Sequence, residues 1–189
     1  GFLYNIRVDL FDNCGVLGDP NVTDFKEIYS VSPVENEYVS LFQNSPTQYY
    51  GVKLHSSQSV LYNKRIRKVS VVLKRENPDE VVLAGEIKME IKDIMGHTIY
   101  EFEDTIDPAT VELTDTEYSF EALDNTHKCE PGDSIVLSYT DGGDTANHIK
   151  VAHCPQDSAD GFNTIFVEST NGISFDADQL ADFVGKIYI

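Results

Sequence analysis

The chain has 189 residues (21.2 kDa), with 14 Lys and Arg against 32 Asp and Glu, giving a formal charge of −18 and a pI near 4.4. A surface this acidic repels phosphate backbones and anionic lipid, so nucleic acid is excluded as a partner, and no run approaches the roughly 18 apolar residues of a membrane span, so no membrane insertion is expected. Hydrophobic residues make up 41% and aromatics 11%, too much core-forming material for a disordered acidic polymer and enough for one folded domain.

The first predicted element is the opening "GFLYNIRVDLF", where Phe2, Tyr4, Ile6, Val8 and Leu10 alternate with Leu3, Asn5, Arg7 and Asp9. That period of two marks a strand with one buried face. Residues 1–13 are read as an N-terminal strand and 14–189 as a single domain. Because the sequence starts at Gly1 rather than Met, a mature terminus left by signal-peptide removal is expected, placing the protein outside the cell.

Further strands are predicted at "EYVSLF", "YYGVKLHS" and "RKVSVVLKR". In "GEIKMEIKD", Ile87, Met89 and Ile91 are expected to face inward and Glu86, Lys88, Glu90 and Lys92 outward. With "GHTIYEFED" after the turn at Gly96, this makes a hairpin. "TEYSFEAL", "DSIVLSYTD", "NHIKVAHC", "NTIFVES" and "DFVGKIYI" complete a series of ten to twelve strands with frequent turns, the pattern of an antiparallel sandwich or barrel. The one helical candidate is short: "DADQLADF", capped by Asp176.

Four acidic clusters fall in predicted loops: Asp12, Asn13, Asp19, Asn21 and Asp24; Asp141, Asp144 and Asn147; Asp157, Asp160 and Asn163; and Asp176, Asp178 and Asp182. Calcium takes carboxylate, amide and carbonyl oxygens in glycine-containing loops of this kind, although none matches the EF-hand order. Asx turns explain the same residues without a metal. Calcium is the expected cofactor, with Asp141, Asp144, Asp157 and Asp160 the first candidates, and Asn147, Asp12 and Asp19 behind them.

His127, Cys129, His153 and Cys154 fit no established zinc spacing, and His148 and His153 point to opposite faces of one strand. A Cys129–Cys154 disulfide between neighbouring strands is expected instead, with Cys14 a buried thiol. No nucleophile elbow or phosphate loop is present, and an enzyme is not expected. Tyr49, Tyr50 and Tyr62 are the aromatic candidates for stacking on a glycan, and "NVT" at Asn21 is a glycosylation sequon.

From about Tyr49 to Ile189 the order of features, above all "PGDSIVLSYTDGGDTANHIKV", resembles jelly-roll modules of secreted and surface proteins. That resemblance implies an antiparallel jelly-roll sandwich, used either for carbohydrate binding or as an extracellular building block. In size, acidity and the strand at its start, the chain is similar more narrowly to the archaeal cannula proteins, secreted subunits of extracellular tubules. The resemblance implies that the opening strand is donated to a neighbouring subunit and that calcium promotes assembly, the partner being further copies of the chain. A glycan-binding surface module is the alternative.

Overall fold

The alternating segments fold as strands in the computed structural model, which describes residues 25–35, 37–76, 83–122, 124–155, 162, 164–178 and 181–189. Thirteen strands lie in these residues: β1 (Glu27–Val31), β2 (Tyr38–Leu41), β3 (Tyr49–Leu54), β4 (Lys68–Arg75), β5 (Lys88–Lys92), β6 (Thr98–Glu101), β7 (Thr116–Glu121), β8 (Ser134–Ser138), β9 (Ile149–Cys154), β10 (Thr164–Ser169), β11 (Asp176–Asp178), β12 (Asp182–Phe183) and β13 (Gly185–Tyr188). The only regular helical piece among them is a 3-10 turn at Pro108–Thr110, capped by Asp107. The expected opening strand, with Phe2, Tyr4, Ile6, Val8 and Leu10, lies outside the described residues.

All pairings are antiparallel and form two sheets. The six-stranded sheet runs β11-β10-β3-β8-β5-β6. The seven-stranded sheet follows β1-β13-β4-β9-β12, with β2 also on β9 and β7 also on β4. The chain is therefore all-β, as its alternation predicts. Residues 176–178 form an edge strand on β10 rather than the expected helical turn. Pairing with Phe166–Glu168 gives this short stretch a full set of partners, which outweighs a weak local helix signal.

Between the sheets lie Tyr50, Val52, Leu54, Val69, Val71, Leu73, Met89, Ile91, Phe120, Ile135, Leu137 and Phe183, each at most 1% exposed. Tyrosines bind the layers together: Tyr50 donates from β3 to the carbonyl of Ala152 on β9 at 2.9 Å and accepts from the Val184 amide at 3.3 Å. Tyr29 donates to Phe183 at 2.7 Å. Each hydroxyl finds a partner in a region where an orphaned one would cost about 1–3 kcal/mol.

The hairpin β5–β6 forms as expected, but its outward residues do not all reach solvent. Glu90 and Lys92 are only 8% and 6% exposed, and Val136 and Val167, on the same outer face, are fully buried. The 170–175 loop folds back against this face: Phe175 packs edge-on to Tyr49 at 6.4 Å, and Gly172 lies on the Tyr49 ring. Lys92 Nζ sits 5.3 Å from the centre of that ring and 3.3 Å from Glu90 Oε1. The loop is held by its own residues, since the Asn171 side-chain oxygen accepts from the amides of Ile173 (2.9 Å) and Ser174 (3.0 Å).

Gly51 marks the tightest strand contact. A Cβ there would stand 2.1 Å from the Ile135 carbonyl oxygen and 2.8 Å from Val136 Cα, both rigid backbone. Gly51→Ala is expected to force β3 from β8 and to cost about 3 kcal/mol. Chemical denaturation checks this, and an unchanged midpoint would contradict the close approach.

Candidate functional site

Three features of the surface are built well enough to act: an acidic turn, an apolar corner and the open strand edges. The turn lies between β8 and β9, in the stretch that carries the calcium expectation. Gly143, at φ 76°, allows it to reverse, and the amide of Gln43 anchors it by donating to the Gly142 carbonyl at 2.7 Å. Asp144 Oδ1 accepts from the backbone amides of Ala146 and Asn147, each at 2.8 Å. Those bonds hold the Asp144 carboxyl below its ordinary pKa. Asp141 is exposed and takes a bond from the Thr140 hydroxyl at 3.0 Å.

Of the calcium candidates, Asp141, Asp144 and Asn147 thus sit together in one Asx-type turn. Asp12, Asp19, Asp157 and Asp160 lie outside the described residues. Among the described residues no three His, Cys, Asp or Glu side chains converge as a metal centre. Asp176 and Asp182 fall on different sheets.

The expected Cys129–Cys154 bridge is absent: both residues are buried thiols. The reason lies in the pairing. Cys129 is hydrogen-bonded through its backbone to Asn63 and Lys64, whereas Cys154 ends β9, which pairs with β2, β4 and β12. The two residues do not sit on neighbouring strands, as the bridge required.

Residue pattern did not reveal the environment of the histidines. His127 Nε2 lies 2.7 Å from Asp133 Oδ2, which also accepts from the Glu130 amide at 2.8 Å. Asp133 belongs to the "PGD" turn and reads from sequence as turn chemistry alone. Nearby Cys129 has its thiol pushed up to about 12, by burial and then by the Asp133 charge, so it is protonated at neutral pH and not a nucleophile. His153 packs on Phe166 at 5.1 Å and on Tyr50 at 6.2 Å, away from His127. His148 stacks near Phe42 at 5.7 Å with both ring nitrogens buried and unbonded, and burial lowers its pKa.

The glycan-stacking candidates separate. Tyr50 is fully buried as a cross-sheet anchor and cannot meet a sugar. Tyr49 is enclosed by Phe175 and Gly172, and Tyr62 is 41% exposed on the loop before β4. A shallow cavity of about 180 Å³ opens elsewhere, lined by Ser30, Pro33, Ser70, Val72, Gly185 and Lys186.

The apolar corner combines the β5–β6 tip with the 170–175 loop. Ile94, Met95 and Ile173 are 67%, 65% and 65% exposed, and Gly96 lies directly against the Ile173 backbone. Two large aliphatic residues at the centre of the turn "DIMG" were a readable signal for it. The strand edges complete the surface. Among the described residues β1, β2, β6, β7, β11 and β12 each pair on one side only.

These features define the class as an all-β domain of two antiparallel sheets, with an acidic composition and with edges that are unpaired among the described residues. No family model, curated protein or solved structure matches the chain. No helix among the described residues is long and apolar enough to cross a membrane.

Proposed function

We propose that the protein is a secreted structural subunit that self-assembles into an extracellular filament or tubule. In this reading residues 2–11 of one copy complete an open sheet edge of the next, and calcium offsets the repulsion between acidic subunits. The observation that carries it is the set of six strands paired on one side only among the described residues, since unpaired backbone amides and carbonyls are templates for an added strand. The opening segment has the matching pattern, apolar at every second residue from Phe2 to Leu10. A contact of this kind joins different surfaces of identical copies and so propagates instead of closing. A charge of −18 per copy makes a divalent cation the natural aid to close packing.

Negative-stain microscopy with millimolar calcium and with chelator tests the proposal. Filaments or tubes that form with calcium and disperse in chelator are the expected result. Monomers in both conditions would overturn it.

A further inference from the structure

Cations are few in this chain, and most of the described ones fall into two groups. Lys74, Lys88, Lys92, Lys150 and Lys186 are each matched to a carboxylate, at 3.8 Å to Asp115, 3.1 Å to Glu101, 3.3 Å to Glu90, 2.8 Å to Glu76 and 2.7 Å to Glu117. Lys26, Lys53, Lys64, Arg65, Lys68, Arg75 and Lys128 form no ion pair among the described residues.

The topology gathers that second group, Arg75 excepted, at one end of the molecule. Lys26 bonds through its backbone to Ile189, just before β1. Lys64 and Arg65 lie in the segment leading into β4, and the Cys129 amide donating to the Lys64 carbonyl at 2.9 Å brings Lys128 beside them. Lys53 is near the end of β3, where Leu54 bonds to Asp133. The Nε of Arg65, like that of Arg75 at the other end, is buried with no acceptor.

The other end, which holds Lys74, Arg75 and Lys150, also carries carboxylates without a cationic partner. There the end of β4 meets the approach to β7, with Arg75 donating to the Glu112 carbonyl at 2.7 Å, and the Asp141–Asn147 turn follows β8. Asp107, Glu112, Asp141 and Asp144 stand at this end with no cationic partner among the described residues.

Building on the self-assembly reading, we propose that copies of this chain dock end to end, the Lys64–Arg65–Lys128 end of one copy seated on the Glu112 and Asp141 end of the next. Complementary charge fixes the polarity and register of such a contact and speeds its formation. In a chain with a charge of −18, the side-by-side approach of like surfaces is repulsive, whereas this placement sets unpaired cations against unpaired carboxylates. The two docking surfaces differ, so the contact extends into a row.

The test uses the full chain under conditions where the wild type polymerises, followed by light scattering and microscopy. One variant carries Lys64→Glu with Lys128→Glu, and the other carries Glu112→Lys with Asp141→Lys. Each by itself is expected to polymerise about tenfold or more slowly, and an equimolar mixture is expected to recover, because each reversed end then meets its complement. Circular dichroism checks folding, and the milder pair Lys64→Gln with Lys128→Gln is expected to slow assembly less than reversal does. Variants that polymerise at the wild-type rate, or a mixture that fails to recover, would overturn the docking geometry and leave self-assembly standing. A wild-type chain that never polymerises would overturn both.

Discussion

A chain lacking residues 1–12 is expected to stay monomeric in calcium solutions where the full chain forms filaments. The segment carries five alternating apolar side chains, Phe2, Tyr4, Ile6, Val8 and Leu10. Burying them against a neighbour is worth on the order of 10 kcal/mol, and each backbone hydrogen bond of the added strand brings about 1 kcal/mol more. Association costs consume much of that gain, so nothing comparable remains to hold copies together once the segment is gone. Sedimentation of the truncated and full chains makes the comparison, with circular dichroism confirming that the domain still folds. Continued polymerisation without residues 1–12 would eliminate strand donation.

Lys92→Ala is expected to cost about 3–5 kcal/mol of stability, because it strands the Glu90 carboxylate in a nearly dry site. The two side chains are 8% and 11% exposed, and the carboxylate is otherwise bonded to neutral hydroxyls: Thr98 donates to it at 2.7 Å and Ser138 at 3.3 Å. Replacing both partners together, Glu90→Leu with Lys92→Met, is expected to restore most of the loss, since removing a buried pair removes its desolvation cost as well. Denaturant titrations of the single and double variants read the difference. A single variant within 1 kcal/mol of wild type would mean that the loop does not seal this face.

The same pair shows where reading the sequence stops. Alternation in residues 86–92 identifies the strand and its inner face, because a period of two follows from the pleat alone. It assigns Glu90 and Lys92 to solvent, because it cannot know that a loop some 80 residues later folds over them. Strand order was beyond reach for the same reason: β13 lies between β1 and β4, and nothing local to Gly185–Tyr188 names either partner. The cysteine pairing failed because it assumed that Cys129 and Cys154 lie on adjacent strands. Tyr50 is a candidate for glycan stacking by residue type alone, and its hydroxyl is spent deep in the core on Ala152. Of the site, the Asp141–Asn147 turn and the "DIMG" tip could be read from residue type, because turns are local. The separation of paired from unpaired cations required the fold.

The position of β13 also bears on how the protein is made. β1 carries Tyr29 and Val31, both destined for burial, yet its partner strand follows far behind it in the chain; the Tyr29 hydroxyl closes on Phe183 across 154 residues. Until that stretch is available β1 has no sheet to join, and contacts of such long range form slowly. A nascent chain therefore carries β1 without its partner strand until the stretch from Tyr29 to Phe183 and beyond has been made.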